Sequence, residues 1–366
     1  MDPKIKSDSE ILNTGEVGIS KSNSFVCPSC GGMLKFDAET QKLKCEHCDC
    51  TVDVVMSSDV TERDFEELTR DHEWQTDVKI IRCEHCGAEM VLRKNEIATK
   101  CVFCGAPNIV DESEFHGVKP DSMIPFQFTQ AEAVTRCLNW LKKRVYAPRK
   151  FKKTMDIETV KGAYYPIWTF DSTMETHYSG RLGKYYYVTV RKNGRTYQER
   201  RIRWFQVSGT DQQVFDDVLV SGSKRITNTE LQKLGSFDQR AYVKYDDKIL
   251  AGNFAIHYDV DPFTAFREAE ARMQAFIRNK IVQSYGADVV GNLSMDMRHL
   301  GKSFKYLMLP IYICTERYKQ KVYRQYINGL IGKISGKTPL SWLKILLTVL
   351  GGGAIIALIA WLSTVA

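Results

Sequence analysis

Cys27-Pro28-Ser29-Cys30 is followed after fourteen residues by Cys45-Glu46-His47-Cys48, and Cys83-Glu84-His85-Cys86 is followed after fourteen residues by Cys101-Val102-Phe103-Cys104. Each copy is C-x2-C-x14-C-x2-C, and corresponding cysteines stand 56 residues apart. Two residues between thiols suit a tight turn that aims both sulfurs at one ion, and four thiolates close a tetrahedral zinc shell. We therefore expect two structural Zn2+ ions, held by Cys27, Cys30, Cys45 and Cys48, and by Cys83, Cys86, Cys101 and Cys104. A closed shell leaves no position for water or substrate. A thiol redox role would need a thioredoxin-like βαβ context, which the flanking sequence lacks. His47 and His85 lie inside the turns and read as supporting or solvent-facing residues, since each copy already has four thiols. Gly31, Gly87 and Gly105 suit positions where the backbone folds back with positive φ.

The chain has 366 residues, so roughly 200 remain for a domain with its own core. Of eleven cysteines, only Cys50, Cys137 and Cys314 lie outside the two copies. That remainder is no disulfide framework, and it points to a reducing compartment. The net charge of +7 is unevenly spread: residues 1–120 hold 14 Lys/Arg against 23 Asp/Glu, and the remainder holds 37 against 21. Residues 1–24 are polar and read as a disordered tail without a secretory signal.

Outward from the cysteines, residues 25–52 read as one zinc ribbon and residues 80–108 as a second. Between them, residues 53–79 carry nine acids and three bases, with a helix expected over residues 58–75 and Phe65 and Leu68 as its narrow apolar stripe. Residues 109–340 read as an α+β domain with a mostly antiparallel sheet. A strand is expected at residues 123–128, then a helix from the Thr129-Gln130-Ala131-Glu132 capping box to about residue 146. Tyr, Val, Thr and Trp enrich residues 163–178 and 185–207, where Asn193-Gly194 signals a hairpin. A strand over residues 249–260 is expected to lead into a helix opened by Asp261-Pro262 and closed by Gly286. Two further strands are expected near residues 288–295 and 304–315. Tyr165-Pro166-Ile167-Trp168 and Leu309-Pro310-Ile311-Tyr312 echo one another and raise the expectation of a duplicated strand motif.

Residues 345–366 contain no charge. At about 1.5 Å per residue they can cross one hydrocarbon core, so residues 341–366 read as a transmembrane anchor. Residues 316–344 hold seven Lys/Arg and one acid, which by the positive-inside rule places the N-terminal side in the cytoplasm and the C-terminus outside. The same run suits anionic lipid. Gly351-Gly352-Gly353 in the anchor permits close helix packing and hence a homo- or hetero-oligomer.

No catalytic constellation is legible. H-E-x-x-H, G-x-S-x-G and the dinucleotide-binding glycine pattern are absent, and Ile331 stands where a phosphate loop needs its first glycine. His177 and His257 lie among aromatics and read as packed or hydrogen-bonded side chains.

The paired cysteine copies, the Gly162-Ala163-Tyr164-Tyr165-Pro166-Ile167-Trp168-Thr169-Phe170-Asp171 and Leu250-Ala251-Gly252-Asn253-Phe254 stretches, and the apolar tail together resemble a family of bacterial double zinc-ribbon membrane proteins. Such chains are described as carrying a TFIIB-type zinc ribbon or as resembling the primosomal helicase, although no helicase motor motif is present here. Similarity to the zinc-ribbon protein of the Bacillus phage-shock-type (PspA) operon implies a membrane adaptor or scaffold beside PspA-like envelope-stress proteins. Nucleic-acid binding through the ribbons is the alternative. Charge disfavours it, because residues 24–52 hold three bases against four acids.

Overall fold

The computed structural model describes residues 25–69, 78–93, 101–104, 106, 109–114, 118–153, 159–192 and 194–365. A small antiparallel sheet comes first, made of β1 (Leu34–Asp37), β2 (Lys42–Cys45) and β3 (Thr51–Val52). A twelve-stranded sheet holds the rest, beginning with β4 (Arg63–Asp64), β5 (Val78–Cys83), β6 (Glu89–Arg93), β7 (Ile109–Glu114) and β8 (Ser122–Met123). Helices α1 (Gln130–Lys142) and α2 (Arg149–Lys152) precede β9 (Val160–Lys192) and β10 (Arg195–Ser221). Then come α3 (Asn228–Lys233), β11 (Val243–Lys244), α4 (Asp247–Leu250), β12 (Phe254–Ile256) and α5 (Pro262–Ser284). β13 (Val289–Tyr318), β14 (Lys321–Asn328) and β15 (Ile334–Gly336) complete the sheet, and α6 (Trp342–Val365) follows.

The spine is the antiparallel pair β9–β13, in register from Val160↔Cys314 to Gly183↔Val289. Side chains alternate between the faces of a strand, and here both faces of the proximal half are covered. Tyr164, Trp168 and Phe170 join one core with Phe304, Tyr306 and Tyr312. Tyr165 and Ile167 join the other with Leu309 and Ile311. Two-sided burial explains why residues 160–170 read as a nearly unbroken apolar run. Trp168 is fully buried, stacks on Tyr306 at 4.7 Å, and donates its indole N–H to the Val260 carbonyl at 2.9 Å.

The echo between the two proline motifs has a structural counterpart. The strand–helix–long-strand–strand series β8-α1-β9-β10 is repeated as β12-α5-β13-β14. Each copy's short first strand lies parallel to the other copy's long strand: β8 along β13 at Met123↔Met308, and β12 along β9 at Ala255↔Tyr164. The two proline motifs face each other, with Tyr165 opposite Leu309. Proline cannot donate to a ladder, and in each copy its carbonyl instead receives an N–H from a glycine: Gly222 to Pro166 at 2.9 Å and Gly329 to Pro310 at 2.8 Å. A Cβ on Gly222 would stand 2.9 Å from the Pro166 oxygen, and one on Gly329 2.8 Å from the Pro310 Cβ, so both close approaches require glycine.

Several elements differ from their sequence expectation. The strand expected at residues 123–128 is regular only over Ser122–Met123, and α1 ends at Lys142, although its Thr129–Glu132 capping box is formed. Residues 247–250 form a turn of helix, which leaves only Phe254–Ile256 as strand. The two strands expected near 288–295 and 304–315 are one, because bulges at Val290/Asn292 and His299/Gly301 carry β13 through the polar stretch between them. The helix expected over residues 58–75 is a 3-10 turn at Phe65–Thr69 within the described residues, and residues 70–77 lie outside them. Phe65 explains the change: its ring packs 4.3 Å from Phe266 and edge-on to Phe170 and Phe304, which ties the segment to the core. The disordered tail expected at residues 1–24 lies outside the described residues.

Trp342–Ser363 within α6 is 22 residues of mean hydropathy 2.4, long and apolar enough to cross a membrane, and none of it is buried inside the protein. Its first turn is tied to the loop after α1. The Ser341 N–H donates to the Tyr146 carbonyl at 2.8 Å, and Lys344 Nζ donates to Val145 and Ala147 at 2.9 and 2.7 Å.

Trp168→Ala removes a side chain enclosed on all sides, and such truncations cost about 3–5 kcal/mol. Urea unfolding of the detergent-solubilised chain, followed by far-UV circular dichroism, should show a loss of that size with an unchanged slope.

Candidate metal centres

Each cysteine pair sits on a turn whose backbone amides fold back toward sulfur. In the first turn Cys27 N–H donates to Gly32 O at 2.7 Å and Gly31 N–H to Cys27 O at 2.9 Å. In the second, Cys45 N–H donates to Cys50 O at 2.9 Å and Asp49 N–H to Cys45 O at 3.1 Å. The residue that closes each turn is left-handed: Gly31 at φ +73°, Gly87 at +64° and Asp49 at +55°. Asp49 was not foreseen in that role, although Asp tolerates this region better than most residues. Gly105 lies outside the described residues.

The eight predicted cysteines assemble into two groups of four, each with its sulfurs within 4.8 Å of one another. In the first, Cys27 Sγ lies 3.5 Å from Cys48 Sγ, and Cys30 Sγ 3.5 Å from Cys45 Sγ. In the second, Cys83 and Cys104 are 3.6 Å apart, and Cys86 and Cys101 3.7 Å. Four sulfurs at about 2.3 Å from a tetrahedral ion stand about 3.8 Å apart. Both groups thus have the spacing of a four-thiolate shell and could hold a metal ion. Gly32 adds a second test of fit: a Cβ there would meet His47 Cδ2 at 2.7 Å and the Cys30 and Cys45 sulfurs at 3.3 Å. His47 and His85 are exposed and belong to neither group. In the second group the Cys101 thiol donating to Cys86 holds Cys86 down at about 4, and the same contact pushes Cys101 up.

The two centres are seated differently. The first belongs to the small sheet, which touches the large domain through Phe36 N–H to Ala251 O at 2.9 Å and Gln41 Nε2 to Phe126 O at 2.8 Å. Its Cys30 and Cys48 are exposed. The second is built into the large sheet. β5 runs straight into Cys83, and β6 pairs with β12 at Val91↔Ala255. The turn at Cys101–Cys104 is docked on β13 and β14, where Thr315 Oγ1 donates to Val102 O at 3.0 Å and Arg324 Nε donates to Phe103 O. Cys83, Cys101 and Cys104 are buried.

Three polar constellations escaped sequence reasoning because their members are far apart in the chain. Glu62, Asp171 and Asp216 bring one carboxylate oxygen each within 4.8 Å of one another. The buried Lys305 supplies the balancing charge, 2.9 Å from Asp217 and 3.1 Å from Glu62. Burial pushes the Asp171 carboxyl up to about 7, against the Asp217 N–H and the Lys305 charge that favour its ionised form. Burial would also raise Glu62, but hydrogen bonds from Ser303 and Lys305 hold it below its usual value. In the second constellation His299 links Ser172, 2.7 Å from its Nδ1, to Glu270, 2.9 Å from its Nε2. This order of groups matches a hydrolase relay, but the Ser172 hydroxyl is buried and lies 3.0 Å from the Gly301 carbonyl. Here the relay pins α5 to the sheet. In the third, His257 stacks on Tyr258 at 4.7 Å with Glu89 3.6 Å away, between β12 and the second centre.

The chain is similar to YdjG, an uncharacterized protein of Bacillus subtilis. The likeness is 24% identity over 348 residues, spanning 92% of this chain and 96% of YdjG. No family model matches the sequence, and no solved structure matches it.

Cys45→Ser should release about one of two bound metal equivalents, read by elemental analysis of the purified chain, and leave the large sheet folded. Cys101→Ser should release the other and lower yield and thermal stability more, because its turn is packed against β13. Asp171→Asn tests the buried carboxyl. With its folded pKa near 7 and its unfolded value near 3.8, this group's contribution to stability falls as pH rises through that window. The variant should therefore gain stability relative to the parent between pH 5 and pH 7, read as the difference in denaturation midpoint at the two values.

Proposed function

We propose that this chain is a membrane-anchored zinc-ribbon adaptor that recruits protein partners to the membrane surface. The observation that carries the reading is the rooting of α6. An exposed apolar span of 22 residues is fixed by Ser341 and Lys344 to the same domain that carries both four-cysteine groups. In this reading the two groups hold Zn2+, since four thiolates without an open position are the structural zinc arrangement. The ion supplies folding energy to the ribbons. The basic run over residues 316–344 faces anionic headgroups, and the ribbons lie on the cytoplasmic side.

The first ribbon is the favoured docking face. Its two exposed cysteines are surrounded by charges that are already paired: Lys35 with Glu46 at 2.8 Å, Lys42 with Asp53 at 2.8 Å, and Lys44 with Asp49 at 3.1 Å. Lysines neutralised in this way are poor phosphate ligands, which weighs against nucleic-acid binding at this ribbon. The resemblance to double zinc-ribbon membrane proteins makes PspA-like envelope-stress proteins the partner class to examine first.

A gentle detergent pull-down of the tagged full-length chain from native membranes tests this reading. A defined protein partner should survive nuclease treatment, fall at least several-fold with Glu46→Lys/Asp49→Lys, and be lost with Cys45→Ser. Recovery of the same proteins with every variant would exclude the first ribbon as the docking face.

A further inference from the structure

Beyond Gly183, which pairs with Val289 at the start of β13, β9 and β10 continue alone. Nine residue pairs, from Lys184↔Arg203 to Lys192↔Arg195, form a two-stranded ribbon about 30 Å long at ~3.4 Å per residue. Among the described residues nothing covers either face of this ribbon; every member is exposed except the half-buried Val188 and Val190. A two-stranded ribbon bare on both faces is marginal in water, so its composition must suit something other than packing within the chain.

That composition is basic and aromatic. Residues 181–205 hold eight Lys/Arg and one acid, an excess equal to the +7 of the whole chain. Six of the eight are arginine, the side chain whose planar fork matches phosphate oxygens. Because cross-strand partners share a face, Lys184, Arg203, Arg201, Lys192 and Arg195 project to one side with one acid, Glu199, which pairs with Arg201 at 3.2 Å. Tyr186 and Tyr197 stand between them on that face. Tyr197 is 51% exposed and Tyr187 on the opposite face is 63% exposed, so flat rings as well as charges meet solvent. Arg200 lies over the Tyr185 ring at 4.3 Å and Arg203 over Tyr186 at 5.5 Å, contacts that pre-order the guanidinium groups.

We propose that this β-ribbon binds a nucleic-acid duplex, with Lys184, Lys192, Arg195 and Arg203 on the phosphate backbone. A two-stranded ribbon fits the major groove, about 12 Å wide. A lipid surface is the rival polyanion, and the topology places the ribbon far along β9 from the root of α6. The root of α6 is tied to the loop after α1, whose Gln130 donates to the Val160 carbonyl at the start of β9. The 24 steps along the strand from Val160 to Lys184 put about 80 Å of strand between that root and the ribbon. The nucleic-acid site is thus separate from the first ribbon, whose lysines Lys35, Lys42 and Lys44 are paired.

The test uses the full-length chain in zwitterionic nanodiscs and a fluorescein-labelled 20-base-pair DNA duplex, titrated by anisotropy at several salt concentrations. Duplex RNA and vesicles containing phosphatidylglycerol run alongside. Lys184→Gln/Arg195→Gln/Arg203→Gln lies on exposed positions and leaves the fold intact, which circular dichroism verifies. The expected result is duplex binding that weakens with salt. The triple variant should bind at least tenfold more weakly, with a slope of log K on log salt shallower by about 3, near 0.9 per lost phosphate contact. No duplex binding by the parent, an unchanged affinity in the triple variant, or loss of vesicle binding alone in that variant would each overturn the proposal.

Discussion

The antiparallel pair β9–β13 is the constraint on which the rest depends. Its register spans Val160 to Gly183 on one strand and Val289 to Cys314 on the other. At its buried end both faces are filled, one by Trp168, Phe170, Phe304 and Tyr306 and the other by Tyr165, Ile167, Leu309 and Ile311. A one-residue slip would exchange the two sets and set every aromatic against the wrong layer. The parallel additions of β8 and β12, the docking of α5 and the close passage of Gly222 and Gly329 all presuppose that register.

The cysteine groups are attachments to this frame, and they differ in kind. The first closes a small sheet with a core of Leu34, Phe36 and Leu43 that leans on Ala251 and Phe126. The second closes the end of the large sheet itself, where β5, β6 and β12 meet the turn held by Thr315 and Arg324. An ion in the second group therefore orders backbone that also belongs to the domain core, and the same chemistry has a wider mechanical consequence there.

How much of this was legible depended on the range of the interaction. The eight cysteines were legible because ligand spacing is local, and α5 because Asp261 caps Thr264 from three residues away. The apolar tail was legible from composition. The length of β13 was not, since residues 298–303 read as a polar break and only pairing with β9 carries the strand through it. The 3-10 turn at Phe65 was hidden by acidic neighbours; its one signal was an aromatic on an otherwise polar segment. Lys305, Asp171 and Glu62, like Ser172, His299 and Glu270, meet only through the fold, and no window of sequence contains them.

The central claim is that a metal-independent β9–β13 frame carries two attachments, each closed by a four-cysteine group that could hold a metal ion. Hydrogen–deuterium exchange of the full-length chain before and after treatment with a strong chelator tests it most directly. The account predicts metal release, with protection lost in β1–β2 and in β5, β6 and β12 and retained along β9 and β13. Unchanged exchange at β5 and β6 after the metal has left, or collapse of protection along β9–β13 as early as at the cysteine turns, would contradict it.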